Sequence, residues 1–224
     1  MSLRAWILSD THGKHDLLKV PENIDIVFHA GDMGTYKDAH MNVNGMLDSL
    51  AWYRSLPIKY KILIPGNHCT SIERKLIPAK EFEGITFLNH EYAEVAGLKI
   101  FGSGYTPAFN NWAFNVSRHK IGEYWKDIPE GLDVLICHGP PQGIMDLTYS
   151  GGTDSRPEQV GDKALMNRIK VVKPRFFFCG HIHPESNCYN SGIMKVAGME
   201  TTFINAAVLN LQYNIDNNGF VIDI

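Results

Sequence analysis

The hydrophobic positions of this chain fall into short unbroken runs rather than an alternating pattern. Leu3–Leu8, Ile24–His29, Tyr60–Ile64, Leu132–His138 and Arg175–Cys179 are rich in Ile, Leu, Val and Phe, and each gives way to a turn bearing Gly, Asp or His. Runs of that length predict buried strands. Between them, His15–Lys19, Val43–Ser55, Ser117–Lys126 and Pro157–Val171 have helical character, the last with Pro157 suited to a first helical turn. Phe87–Phe101 predicts two or three further strands with Gly97 at a turn, and Ile193–Phe220 predicts a strand-rich end with hairpin chemistry at Asn217-Asn218-Gly219. The expectation is an α/β chain in which two sheets pack face to face between helices, as a single domain over residues 1–224.

Composition adds little to that picture but narrows the function. Hydrophobic residues are 44% of the chain and charged residues 20%, enough to bury a substantial core. The formal charge is −3 and no stripe of Lys and Arg is visible, which argues against nucleic acid as partner. A cation held in a local site would still attract phosphate. The four cysteines, Cys69, Cys137, Cys179 and Cys188, have no C-x-x-C spacing, and the opening run is interrupted too soon, at Asp10 and His12, to be a signal peptide. A cytoplasmic protein without a membrane partner is expected; oligomeric state is not legible.

Chemistry enters at the strand ends, since every one of the five runs stops at side chains able to bind metal. In open α/β sheets, loops beyond the carboxyl ends of the strands converge on one crevice. Leu8-Ser9-Asp10-Thr11-His12 offers a carboxylate and an imidazole at i and i+2. In isolation this reads more simply as a helix cap and an exposed loop histidine. Ala30-Gly31-Asp32 offers a carboxylate with two oxygens, the natural bridge between paired cations, although Asp in a glycine turn is common. Pro65-Gly66-Asn67-His68 adds an amide oxygen and an imidazole; a plain turn explains Gly66-Asn67 but not the histidine. His138 is fixed by the rigid Gly139-Pro140-Pro141, and Gly180-His181-Ile182-His183 presents two imidazoles after an apolar run. His15, His29, His40, His90 and His119 carry no such context and read as structural or surface residues.

D-x-H, G-D, G-N-H, a separate strand-end H and G-H-x-H, in this order over residues 8–183, resemble the calcineurin-like metallophosphoesterase superfamily. Gly102-Ser103-Gly104-Tyr105-Thr106-Pro107, Phe109 to Asn115, Ile128-Pro129-Glu130-Gly131 and Ile204-Asn205-Ala206-Ala207 look like its metallophosphoesterase-domain-containing branch, similar to fetal-brain protein 239. The resemblance implies a four-layer α-β-β-α sandwich of two mixed sheets flanked by helices. It places Asp10, His12 and His183 on one divalent cation and Asn67, His138 and His181 on another, with Asp32 bridging. It makes Asp32, Asn67 and His68 the catalytic set, hydroxide held at the metals the nucleophile, and His68 the leaving-group acid.

Mixed nitrogen and oxygen donors favour Mn, with Fe or Zn as alternatives and Mg less suited. The implied activity is that of a phosphodiesterase acting on small organic or cyclic nucleotide diesters. A phosphomonoesterase, and a non-catalytic nucleotide-binding or interaction protein on the same fold, are the alternatives. Relatives commonly carry an acid where Cys69 stands, which makes Cys69 either a modifier of His68 or a small buried residue. For substrate contacts, Asn110, Asn111 and Trp112 offer amides and an aromatic face, against the alternative that Trp112 and Phe114 pack their loop onto the sheets. Arg156 ends a loop begun at Tyr149 and is a candidate phosphate contact.

Overall fold

In the first strand, Ala5 and Ile7 point to one side and Trp6 and Leu8 to the other, and all four are fully buried. This two-sided burial explains the unbroken apolar runs, because a parallel strand covered on both faces has no position left for a polar residue. A computed structural model describes residues 2–149, 156–185 and 187–224. In chain order its main strands are β1 Arg4–Leu8, β2 Ile26–His29, β3 Tyr60–Leu63, β4 Thr86–Phe87, β5 Glu91–Val95, β6 Leu98–Ser103, β7 Val134–Cys137, β8 Phe176–Cys179, β9 Gly192–Lys195, β10 Thr202–Asn205 and β11 Phe220–Asp223.

They form two mixed sheets with strand orders β11-β1-β2-β3-β4 and β9-β10-β8-β7-β6-β5. Within each the central strands run parallel and an antiparallel strand closes an edge: β11 on β1, β9 on β10 and β5 on β6. The sheets face each other through Ile7, Ile26, Phe28, Ile62, Ile100, Val134, Ile136, Phe178 and Ile204. Their outer faces are covered by helices, which gives the four-layer α-β-β-α sandwich. At the carboxyl ends the sheets are tied together by Val208 N, beyond β10, donating to Ser9 O, beyond β1 (3.1 Å).

The first long helix, α1, spans Ala39–Ser55 and starts at Asp38, whose Oδ1 accepts the N–H groups of His40 and Met41, each at 3.0 Å. It buries Met46, Leu50 and Tyr53 on the first sheet, where the Tyr53 hydroxyl lies 2.7 Å from Ile62 O and 3.1 Å from Val27 O. The second, α2, spans Lys163–Val172 and buries Leu165, Ile169 and Val172 on the other sheet.

Several boundaries differ from the sequence reading. The α2 start is Asp162, whose Oδ1 accepts Ala164 N (2.7 Å), and Pro157 precedes a short strand, Glu158–Gln159, paired with Leu147–Thr148. A carboxylate cap outcompetes a proline as a start signal here. His15–Leu17 is a single 3₁₀ turn, and the helix expected over Ser117–Lys126 is confined to Ile121–Trp125. Asn217-Asn218-Gly219 is no hairpin: the flanking β10 and β11 belong to different sheets. No helix of the described residues is long and apolar enough to cross a membrane.

Candidate metal centre

The carboxyl ends of β1, β2, β3, β7 and β8 lie together, and the turns beyond them bring Asp10, His12, Asp32, Asn67, His68, His138, His181 and His183 to one place. The turns are tight. Asp10, His12, Asp32 and His181 all have positive φ, between 40° and 67°, a conformation that costs non-glycine residues roughly 1–3 kcal/mol. The adjacent glycines make room. A Cβ on Gly31 would stand 2.7 Å from His138 Nδ1, one on Gly66 would strike Asp32 Oδ1, and one on Gly180 would strike Asp10 Oδ2. Each glycine of the motifs is therefore occupied by a neighbouring motif's side chain.

Hydrogen bonds behind the site fix which atoms face it. His12 Nδ1 donates to Gly34 O (2.8 Å), His138 Nδ1 to Ala30 O (2.8 Å) and His183 Nδ1 to Asn210 O (3.1 Å). A carbonyl can only accept, so in each ring Nε2 is the atom presented inward. The carboxylates divide their oxygens in the same way. Asp10 Oδ2 accepts His181 N (2.9 Å) and Asp32 Oδ1 accepts His68 N (2.7 Å).

That leaves Asp32 Oδ2 facing His138 Nε2 at 3.1 Å and His12 Nε2 at 4.0 Å, with Asn67 Oδ1 2.9 Å from the same His138 nitrogen. Asp10 Oδ1 is buried with no hydrogen bond, although His183 Nε2 stands 3.4 Å away. A buried carboxylate oxygen in that state calls for a cation. Among the described residues, three donor groups satisfy the reach of a metal ion, with ligand atoms within 4.8 Å of one another: Asp10, His12 and His183; His12, Asp32 and His68; Asp32, His138 and His181. Asp32 belongs to two of them.

Burial and the two carboxylates pull the histidines of the site in opposite directions. Burial lowers the pKa of His12 to about 4 and of His181 to about 3, so both are neutral bases at pH 7. Burial acts on His138 in the same sense, but the Asp32 charge outweighs it and holds the ring at about 9. His183 is likewise raised, its Asp10 partner overcoming burial. Both aspartates would be raised by burial alone, yet the histidines around them hold them below the usual carboxylate range.

A profile of the calcineurin-like phosphoesterase family matches residues 3–185. The chain belongs to that family. It is 31% identical over 247 aligned positions to metallophosphoesterase domain-containing protein 1 of Homo sapiens, covering 99% of this chain and 71% of that protein, with the same figures for the Mus musculus protein. Those full-length matches place it in the metallophosphoesterase-domain-containing branch. The fold is shared with the crystal structure of TT1561 of Thermus thermophilus, at a TM-score of 0.51 and 13% identity over 92% of this chain and 89% of that one. As a family member the chain is a metal-dependent phosphoesterase.

Around the candidate metal ligands of this phosphoesterase is a cavity of ≈ 330 Å³. His68 is half-buried at its edge, with Nδ1 donating to Thr35 O (3.2 Å) and its ring stacked on Trp112, centroids 4.0 Å apart. Of the proposed substrate contacts, Asn110 and Trp112 line the cavity, while Asn111 faces away from it and Arg156 is an exposed residue not among its lining. Residues 150–155, the rest of the loop leading to Arg156, lie outside the described residues. Phe114 packs into the core, and Ala113 N donates to Asn67 O (3.2 Å), which ties the Trp112 loop to the G-N-H turn. Cys69 is a buried core residue whose Sγ accepts Gly66 N (3.3 Å), and burial pushes its thiol up to about 12. It holds the turn and stays neutral.

The residue that sequence reasoning missed is Tyr213. Its ring stands over the site, 4.9 Å from His12 and 5.5 Å from His183. Asn210 builds this wall: its carbonyl accepts His183 Nδ1 and Tyr213 N (2.8 Å), and its side-chain oxygen accepts Gln212 N (3.1 Å) and Asn214 N (3.0 Å). An Asn-centred turn was the available signal, but nothing in Leu-Gln-Tyr-Asn marks a catalytic motif. Tyr213→Ala is expected to raise KM for an aryl diester about tenfold, the scale of one lost aromatic contact, while kcat changes less. Steady-state kinetics at fixed metal would check this; a fall in kcat alone would contradict it.

Proposed function

We propose that the chain is a two-metal phosphodiesterase acting on small organic or nucleotide diesters, with Mn as the preferred metal in vitro. The observation that carries this reading is the arrangement around Asp32, with one oxygen pinned to the His68 backbone and the other facing imidazoles from two different strand ends. Asp10, His12 and His183 would hold one cation, Asn67, His138 and His181 the other, and Asp32 both. When bound, the cations supply an activated water and charge to balance the phosphoryl oxygens. Mn, Fe and Zn match the mixed nitrogen and oxygen donors better than Mg does.

The protein's own contribution is orientation. The carbonyls of Gly34, Ala30 and Asn210 fix three ring orientations, with Nε2 inward, before any ligand arrives. His68, with Nδ1 committed to Thr35, has Nε2 free to deliver a proton to the departing alkoxide. Trp112 keeps the ring from turning away.

The cavity lining favours a diester over a monoester. Among the described residues it includes no Lys or Arg, and it includes Glu185. With no Lys or Arg beside the cations, the lining lacks the extra positive group that would single out a doubly charged monoester. Leu211, Tyr213, Phe109 and Trp112 in the lining offer apolar surface for the ester arms.

The test is to strip the protein with chelator, reload it with Mn, and compare bis-p-nitrophenyl phosphate with p-nitrophenyl phosphate. Metal-dependent turnover that favours the diester is the expected result. Stoichiometric metal binding with no turnover of either ester, under Mn, Fe or Zn, would make the protein a metal-dependent binding protein instead.

A further inference from the structure

The turn formed by Asn110 and Asn111, with φ of 49° and 51°, makes the Trp112 loop a ridge between two cavities. On one side is the cavity of the metal centre; on the other, against the start of α1, is an open one of ≈ 830 Å³. Trp112 lines both. The two differ in charge. The metal cavity has no Lys or Arg among its described lining residues, whereas Lys37, His40 and Arg74 line its neighbour.

Asp38 and Glu73 also line the neighbouring cavity, and each has one carboxylate oxygen committed to backbone N–H groups. Asp38 Oδ1 accepts two N–H groups of α1, and Glu73 Oε1 accepts Phe114 N at 2.7 Å. The basic groups remain open. Lys37 Nζ spends one of its three donors on Asn110 O (2.6 Å) and lies 5.2 Å from the centre of the Trp112 ring, and the Arg74 side chain is exposed. A group that extends past Trp112 into this cavity therefore meets the free donors of Lys37 and Arg74 in its lining.

We propose that this second cavity is an anion subsite, which takes a further phosphate carried on one ester arm of the substrate. The inference rests on the phosphodiesterase reading and deepens it, because it narrows the substrate to diesters with a second anionic group, such as esters of a nucleoside bisphosphate. The cations of the metal cavity would take the diester linkage, and the free donors of Lys37 and Arg74 the terminal phosphate. Because Lys37 and Arg74 are exposed, salt weakens the preference they create.

Two chromogenic diesters test it on the Mn-loaded protein: the p-nitrophenyl ester of thymidine 5′-monophosphate, and the same compound bearing a 3′-phosphate. At low ionic strength the phosphate-bearing ester should show a kcat/KM about tenfold higher, a ratio that falls toward one in Arg74→Ala and partly returns in Arg74→Lys. A wild-type ratio near one, or a ratio that survives Arg74→Ala, would overturn the proposal. Calorimetry separates this outcome from failure of the parent reading. If neither ester is hydrolysed, thymidine 3′,5′-bisphosphate must still bind the wild-type protein more tightly than thymidine 5′-monophosphate, and equally in Arg74→Ala, for the subsite to stand; equal binding in the wild type removes it.

Discussion

Asp32→Asn is expected to lower kcat/KM for bis-p-nitrophenyl phosphate by about 10³-fold or more, and to do so by emptying the site of metal. The two side chains are nearly isosteric, so the reason is chemical. Asp32 Oδ1 accepts the His68 N–H at 2.7 Å, and an amide in that place must keep its oxygen there to avoid opposing two donors. Its NH₂ group is then aimed at His138 Nε2 and His12 Nε2, where Oδ2 now stands. A donor in that position repels a cation. His68→Ala is the contrasting case: it leaves the proposed ligand set intact and removes the proton donor, so turnover should fall about 10²-fold with metal content unchanged. Elemental analysis of the purified variants beside their kinetics checks both, and metal retained at wild-type stoichiometry in Asp32→Asn would contradict the bridging role.

The legibility of this site in the sequence has a physical basis. Each candidate ligand follows an apolar run, and a run that must be buried on both faces leaves its first polar residues only one outlet, the crevice beyond the carboxyl ends. The same logic accounts for the glycines. Gly31, Gly66 and Gly180 stand where a Cβ would collide with a side chain of a different motif, so motifs far apart in sequence are complementary in space. What lay beyond the sequence was whatever depends on a partner distant along the chain. Phe220–Asp223 pairs with Arg4–Leu8 across the length of the protein, and local turn chemistry at Asn217-Asn218-Gly219 carried no trace of that pairing.

Tyr213 was hidden for the same reason, since its place over His12 and His183 is decided by the Asn210 carbonyl bonding His183. The Phe109–Trp112 segment was readable only in outline. Its amides and aromatics suggest a contact surface, but its two asparagines face different cavities, a division set by two consecutive left-handed residues. Arg156 illustrates the opposite case, in which a plausible charge in a loop is left exposed and away from the cavity lining.

Metal binding should be steeply dependent on pH, through His138. In the metal-free protein its Nδ1–H is held by Ala30 O, and its Nε2 faces Asp32 Oδ2 at 3.1 Å and Asn67 Oδ1 at 2.9 Å. Both of these are acceptors, so Nε2 must carry a proton as well, and the ring is an imidazolium. Burial opposes that charge, but Asp32 prevails and raises the pKa from 6.5 to about 9. The pairing therefore stabilises the metal-free fold fully below about pH 6.5 and loses that effect as the pH rises through about 9. A cation bound between Asp32 and His138 has to displace this proton. Apparent affinity should rise about tenfold per pH unit from pH 6 to pH 8 and level off above pH 9, approaching a several-hundredfold change in all. Titration of metal into unbuffered protein at pH 7.5 should release close to one proton from this residue, and His183, raised by Asp10, adds to the count. The Asp32→Asn variant decides the cause. Followed by NMR without added metal, because this variant does not hold the cation, the His138 ring should titrate well below the wild-type ring once burial acts unopposed by Asp32; an unchanged titration would mean that Asp32 is not what holds the proton.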